Sequence, residues 1–342
     1  MPKSRTQVRL APGEVKELVR GALGSSARVA SAQALEGGTF NACWKVALAD
    51  GRSLVLKVAP PPELPLLHYE QDLLRTEVDF YARAAQAGVP VPEVVGADFS
   101  RRGIGSDYFL MTCIAGLPLT RAQRRLSREA LRGVRTELGR CAARLAAVRG
   151  DHFGYSAASI GTRAATWRAA FGAMLAILLR DAERLGVALP RPVAELEALV
   201  EACAPALDAV ATPSLVHFDL WDGNILVDVE ADPPRLTGLI DGERAFWGDP
   251  LAEFASLALF GEIDRDAAFL QGWAEAAGRP LAFDTGERQR IALAQLYLYL
   301  IMRIEPPTRD GRGLLGFVIQ RLVSRSLRRA FRHLDASVGG RR

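Results

Sequence analysis

The chain has 342 residues, 49% of them hydrophobic, and 43 basic against 39 acidic residues leave a net charge of only +4. That length is enough for two lobes around a substantial core, and no apolar run approaches the ~18 residues of a membrane span. Arginines in helix-like segments such as 321–332 lack interleaved aromatics, which argues against a nucleic-acid surface. Cys43, Cys113, Cys141 and Cys203 are scattered without a CxxC pair. This predicts free thiols, no cysteine–histidine metal site and a cytoplasmic setting. The first residues have no apolar stretch behind them, so no signal peptide is expected.

The first elements emerge from periodicity and turn residues. Pro12 to Leu23 reads as an amphipathic helix, Arg28 to Leu35 as a strand, Glu36 to Asn41 as a turn and Ala42 to Ala47 as a second strand. Gly37 and Gly38 lack Cβ atoms and would let that turn approach a ligand closely. Asp50-Gly51 is a hairpin signal leading into the apolar strand Leu54-Val-Leu-Lys-Val58. Lys57 stands out, because lysine occurs only at 3, 16, 45 and 57 in a chain that otherwise uses arginine. A compact ammonium fits between phosphate oxygens and a carboxylate where a planar guanidinium does not; the alternative is a surface lysine snorkelling from an edge strand. His68 to Gln86 is expected to be one helix with Leu73, Leu74, Glu77, Val78 and Tyr81 on one face. Glu77 would then be an acid on an apolar stripe, costly unless paired. Lys57 is its natural mate, with Glu70 the competing partner. Prolines in Gly88-Val-Pro-Val-Pro92 stop that helix. Val94 to Phe99 and Tyr108 to Cys113 read as strands, with a connection after them at Ile114-Ala-Gly-Leu-Pro118.

Beyond it, helical periodicity covers Ser127 to Val148, Arg163 to Leu185 and Pro192 to Ala211. The chain then reads Leu215-Val-His-Phe-Asp-Leu-Trp-Asp-Gly-Asn224, two apolar runs, and Asp241. The pattern His217-x-Asp219-x-x-x-x-Asn224 with Asp241 beyond it suits phosphoryl transfer. One carboxylate accepts the proton of an attacking hydroxyl, while an amide and a second carboxylate hold metal ions on the phosphates. Ile225 to Val227 and Leu236 to Ile240 read as a hairpin closed by Glu230-Ala-Asp-Pro-Pro234, which would return Asp241 beside Asn224. Only seven residues separate Asp241 from Asp249. That leaves no platform for a peptide, so the acceptor is expected to be a small molecule. Helices are then predicted over Pro250 to Leu259, Asp264 to Ala277, Gly286 to Ile304 and Leu314 to Leu334.

The stretch from Leu215 to Phe254 resembles the aminoglycoside phosphotransferase family of small-molecule kinases, and the likeness extends over nearly the whole chain. The resemblance implies an α+β, bilobal protein-kinase-like fold. A small N-terminal lobe, residues 1–113, would hold an antiparallel five-stranded sheet plus a helix. A mainly helical C-terminal lobe, residues 114–342, would come after a hinge beginning near residue 112. It implies ATP and Mg²⁺ as cofactors, Asp219 as catalytic base, His217 as a brace of its loop, and Asn224 and Asp241 as metal ligands. Lys57 and Glu77 would then hold the phosphates, Gly37 and Gly38 would cover them, and the backbone of Thr112, Cys113 and Ile114 would meet the adenine edge. Asp249 resembles the family's structural acid, which would bond loop amides and cap the next helix. Two departures stand out: Phe218 occupies a position where glycine is usual, and Gly242 comes directly after Asp241 with no aromatic between.

The acceptor class stays open among antibiotics, amino sugars and amino alcohols. Asp222, Glu243, Glu262, Asp264 and Asp266 are candidate substrate acids, whereas the basic tail Gly339-Gly-Arg-Arg342 offers no acidic clamp. A catalytically silent nucleotide-binding scaffold is the alternative reading. It is disfavoured because Lys57, Asp219, Asn224 and Asp241 are all present. No nucleic-acid or membrane partner is expected, and the oligomeric state is not legible.

Overall fold

In a computed structural model of the chain, residues 6–35, 38, 40–309 and 313–339 are described. Helix α1 (Pro12–Leu23) opens with proline in its first turn and turns Val15, Leu18 and Val19 inward, the three-and-four spacing of a helix packed on one side. It backs a five-stranded antiparallel sheet of β1 (Val29–Ala34), β2 (Ala42–Leu48), β3 (Ser53–Val58), β4 (Val94–Asp98) and β5 (Tyr108–Thr112), in the spatial order β1-β2-β3-β5-β4. Strand alternation divides β3 between two cores. Leu54, Leu56 and Val58 join α1, while Val55 packs on the opposite face with α2 (Leu73–Gln86), the face that Lys57 shares.

The rest of the chain is the mainly helical lobe expected. Its core gathers Phe171, Met174 and Leu178 of the Trp167–Arg184 helix, Leu296 and Leu300 of the Thr285–Ile304 helix, and Leu327 of the Leu314–Gly339 helix. The Arg128–Ala147 and Ala267–Ala277 helices approach so closely that a Cβ at Gly139 or Gly272 would strike the backbone of the other helix, at Phe269 and Thr136. The hairpin Ile225–Asp228 and Arg235–Leu239 forms as expected, and Leu117–Pro118 adds a third strand to it. Among the described residues no helix is long and apolar enough to cross a membrane.

Three expectations need correction, and one feature went unforeseen. His68 to Gln86 is not one helix: His68–Glu70 is a single 3₁₀ turn, and α2 begins only after Asp72, whose φ of 54° is left-handed. Pro192 to Ala211 divides into Val193–Ala202 and Ala204–Asp208, because Pro205 has no N–H for the helix ladder and its ring would crowd the carbonyl of Glu201. Pro250 to Leu259 is a 3₁₀ turn, Pro250–Ala252, and then a short helix, Glu253–Leu257. A small sheet of Gly154–Tyr155, Phe246–Gly248 and Ser214–Val216 had no periodicity by which to be seen, since each strand has three residues or fewer.

Candidate active site

Lys57 lies at the middle of the site, with only 2% of its surface exposed. Its Nζ donates to Glu77 Oε2 at 2.6 Å and Asp241 Oδ1 at 2.9 Å, and pairs with Glu243 Oε2 at 2.9 Å. Burial works against the ammonium, but the carboxylates of Asp241, Glu243 and Glu77 outweigh it and hold the lysine protonated, above its usual range. Glu77 projects from α2 with no exposure at all, and its other oxygen accepts the Tyr81 hydroxyl at 2.7 Å. That hydroxyl in turn accepts the Asp241 N–H at 3.0 Å, so α2 grips both Lys57 and the backbone that carries Asp241. Glu70, the rival partner, sits in the 3₁₀ turn before α2 and pairs with Arg309.

The hairpin returns where the spacing required. The Ile240 N–H donates to the Asn224 carbonyl at 3.0 Å, which sets Asp241 next to Asn224. Asn224 is 5% exposed, and its Nδ2 donates to the Asp219 carbonyl at 2.8 Å, which leaves the amide oxygen as its free end. Asp241 takes a left-handed φ of 62°, tolerable for a short polar side chain, and keeps 42% of its side chain exposed.

His217 is fully buried and satisfied on both ring nitrogens: Nδ1 accepts the Asp219 N–H at 3.2 Å, and Nε2 lies 2.9 Å from the Ile240 carbonyl as its donor. Burial pushes its pKa down to about 4, so the ring is neutral and braces the loop without charge. Burial also pushes the Asp219 carboxyl up to about 7, opposed by the guanidinium of Arg244, whose Nε stands 3.9 Å away.

The two departures in wording have physical explanations. Phe218 adopts φ 61°, the left-handed conformation that glycine takes freely. Its ring offsets that strain by packing 4.9 Å from Phe246 and 5.8 Å from Tyr297. Gly242 lies so close to Phe80 of α2 that a Cβ would strike the ring. Phe80 also meets His217 edge-on at 4.9 Å, so an aromatic from α2 covers the loop.

Several residues escaped the sequence reading. Glu253, 4% exposed, accepts the N–H groups of His217 at 2.7 Å and Phe218 at 3.2 Å and the hydroxyl of Ser256 at 3.0 Å. Burial raises its pKa to about 7. The available signal was an acid inside the apolar run Pro250-Leu-Ala-Glu-Phe-Ala255. Arg244, held by Glu305 at 2.7 Å, gave no signal, because its partner is 61 residues away. Asp249 accepts the Leu251 N–H at 3.0 Å and pairs with Arg290 at 2.8 Å, a supporting place. Of the candidate substrate acids, Asp222 and Asp266 are tied to Arg135, Asp264 to Arg288, and Glu262 to Arg265 and Arg329. Glu243 alone of these five is bonded to Lys57, and it also accepts the Asn41 amide from the turn after β1. In that turn the Gly38 carbonyl accepts Gln7 Nε2 at 2.8 Å, while Gly37 lies outside the described residues. At the end of β5, Thr112 and Cys113 give their N–H groups to Glu93 and Ser53.

An antiparallel sheet flanked by α1 and α2, joined to a helical lobe that carries this loop and hairpin, is the protein-kinase-like fold. The chain belongs to the APH phosphotransferase enzyme family, whose model matches residues 31–292. A protein of Lactiplantibacillus plantarum named "Probable ketoamine kinase" is 39% identical over 88 residues, 26% of this chain and 28% of that protein, so the match spans little more than a quarter of that relative. Among solved structures, a "putative fructosamine-3-kinase" from Thermobifida fusca superposes with a TM-score of 0.62 at 24% identity, covering 93% of this chain and 98% of that one. A mutant of aminoglycoside phosphotransferase APH(4)-Ia, in complex with ADP and hygromycin B, gives a TM-score of 0.57 at 20% identity over 94% of this chain and 97% of that one. Both structural likenesses are of fold.

Proposed function

We propose that this chain transfers the γ-phosphoryl group of ATP to a hydroxyl of a polyhydroxylated amine, of the ketoamine or amino-sugar type. The observation that carries the reading is the convergence of Lys57, Glu77, Asp219, Asn224 and Asp241 on one site. The local identity to the ketoamine kinase favours that acceptor over an antibiotic.

In this reading Asp219 orients the acceptor hydroxyl and takes its proton as the new P–O bond forms. Its pKa of about 7 suits a base that works near neutrality. Lys57, fixed by Glu77, neutralises the non-transferred phosphates, with the hinge between the lobes taken to begin near Thr112. Because the sheet takes the N–H groups of Thr112 and Cys113, the Ile114 N–H is the donor left for a nucleobase. The residues also fit Mg²⁺, a hard cation that takes oxygen ligands and prefers one or two protein groups plus phosphates and water. Asn224 offers an amide oxygen and Asp241 a half-exposed carboxylate. When bound, the ion supplies positive charge on the phosphate oxygens.

The test is ADP release, with mass spectrometry of products, across ketoamines, amino sugars, amino alcohols and aminoglycosides. A product one phosphoryl group heavier from a ketoamine or amino sugar is expected. Nucleotide binding with no acceptor-stimulated ADP release and no phosphorylated product would instead make the chain a silent scaffold.

A further inference from the structure

Arg309 lies beyond the Thr285–Ile304 helix, in the helical lobe, yet its guanidinium sits over the ring of Phe40, 4.4 Å from the centroid. Phe40 belongs to the turn between β1 and β2, the segment that the family resemblance implies would cover the nucleotide phosphates. The same guanidinium pairs with Glu70, whose side chain is 1% exposed, while Arg309 itself is 11% exposed. Glu70 is locked in turn by accepting the Leu67 N–H at 2.8 Å. A charge buried this deeply is fixed in place, since removing its partner would leave it without compensation. The other side of the turn is held from the N-terminal segment, where the Thr6 hydroxyl donates to the Phe40 carbonyl at 2.9 Å. Phe40 is 8% exposed, so the ring is a seated element and not a loose tip.

Four residues earlier on the same chain segment, Glu305 accepts the Tyr69 hydroxyl at 2.9 Å and Arg244 at 2.7 Å, and Arg244 faces Asp219. One short stretch of the helical lobe, residues 305–309, therefore touches the base through Arg244 and the phosphate-covering turn through Phe40.

We infer that Arg309 is a positioning residue for the nucleotide: it reaches from the helical lobe to fix the β1–β2 turn through Phe40, and acts on ATP without touching the reacting atoms. The inference rests on the proposed ATP reading. It makes the placement of Phe40 depend on the planar guanidinium, whose flat stacking on an aromatic face the compact ammonium of a lysine reproduces only in part.

The experiment compares the parent, Arg309→Lys, Phe40→Leu and the double variant in titrations with ADP and a non-hydrolysable ATP analogue, alongside thermal denaturation. Arg309→Lys keeps a cation beside Glu70, so its Tm should stay close to that of the parent. Its nucleotide Kd should rise about three- to thirtyfold, the worth of a cation–π contact at a partly desolvated site. Phe40→Leu should give a similar rise, and the double variant little more than either alone, because the two side chains act as one contact. In turnover, KM for ATP should rise while kcat stays within about threefold, the pattern of lost ground-state binding. Unchanged nucleotide affinity in Arg309→Lys, or losses that multiply in the double variant, would overturn this inference alone. Absence of nucleotide binding by the parent would overturn the proposed function and this inference together.

Discussion

Replacing Lys57 separates a packing role from a chemical one. The ammonium stands within 2.6–2.9 Å of three carboxylates, Glu77, Asp241 and Glu243. Lys57→Met leaves Glu77 buried without its cation and with only Tyr81 as a donor, a loss of about 3–5 kcal/mol for a broken buried pair. For a chain of 342 residues that corresponds to a Tm lowered by roughly 4–7 °C. Lys57→Arg keeps the charge but must seat a broader group where three oxygens already surround one nitrogen, at about 1–3 kcal/mol of overpacking. Nucleotide affinity and turnover should therefore both fall steeply in Lys57→Arg, although arginine replaces lysine almost everywhere else in this chain. Glu77→Gln should add little on the Lys57→Arg background, because the pair is one unit. Differential scanning calorimetry, nucleotide titration and ADP release read the three effects. Affinity and turnover of Lys57→Arg within threefold of the parent would refute the reasoning, as would full additivity with Glu77→Gln.

Glu253→Gln should lower turnover with little change in nucleotide affinity, since it weakens the support of the His217 and Phe218 amides; an unchanged turnover number would show that the loop holds its shape without it. Phe218→Gly relieves a left-handed φ but empties a ring-sized site, so a net loss of roughly 2–4 kcal/mol is expected in urea unfolding, and a stabilised variant would contradict the packing account. The Asp219 carboxyl titrates higher in the folded chain, at about 7, than its ordinary 3.8. Its contribution to stability is thus fully present below about pH 4 and lost as pH rises through 7. Asp219→Asn should accordingly raise Tm relative to the parent at pH 8 and lose that advantage towards pH 4; a difference independent of pH would show that the carboxyl is not held up by burial.

The fold was legible wherever one physical pattern dominated. The β1–β3 strands, the α1 face and the Ile225–Leu239 hairpin each combine alternation or helical spacing with a turn residue, and each formed. The lysine at position 57 was legible from chemistry, as a rare ammonium on an apolar strand, and Glu77 from the cost of an acid on an apolar stripe. What failed was local irregularity. Asp72 breaks the expected helix with a left-handed φ that nothing in an amphipathic pattern demands, and so removes Glu70 from the face of α2. Contacts between distant segments were invisible for a different reason. Arg244 with Glu305, Arg309 with Phe40, and Glu253 with the His217 loop join segments separated by dozens of residues or more. Each is surrounded by residues whose own spacing would be the same without the contact.

The central claim, that Asp219 is the base of a phosphoryl transfer, is tested most directly by measuring ATP-dependent product formation and nucleotide affinity side by side for the parent and Asp219→Asn. The substitution keeps the shape of the side chain and removes its ability to accept the hydroxyl proton. Nucleotide affinity should stay within about threefold while turnover falls by about two to four orders of magnitude, the usual worth of a positioned general base. Turnover within threefold of the parent would contradict the assignment.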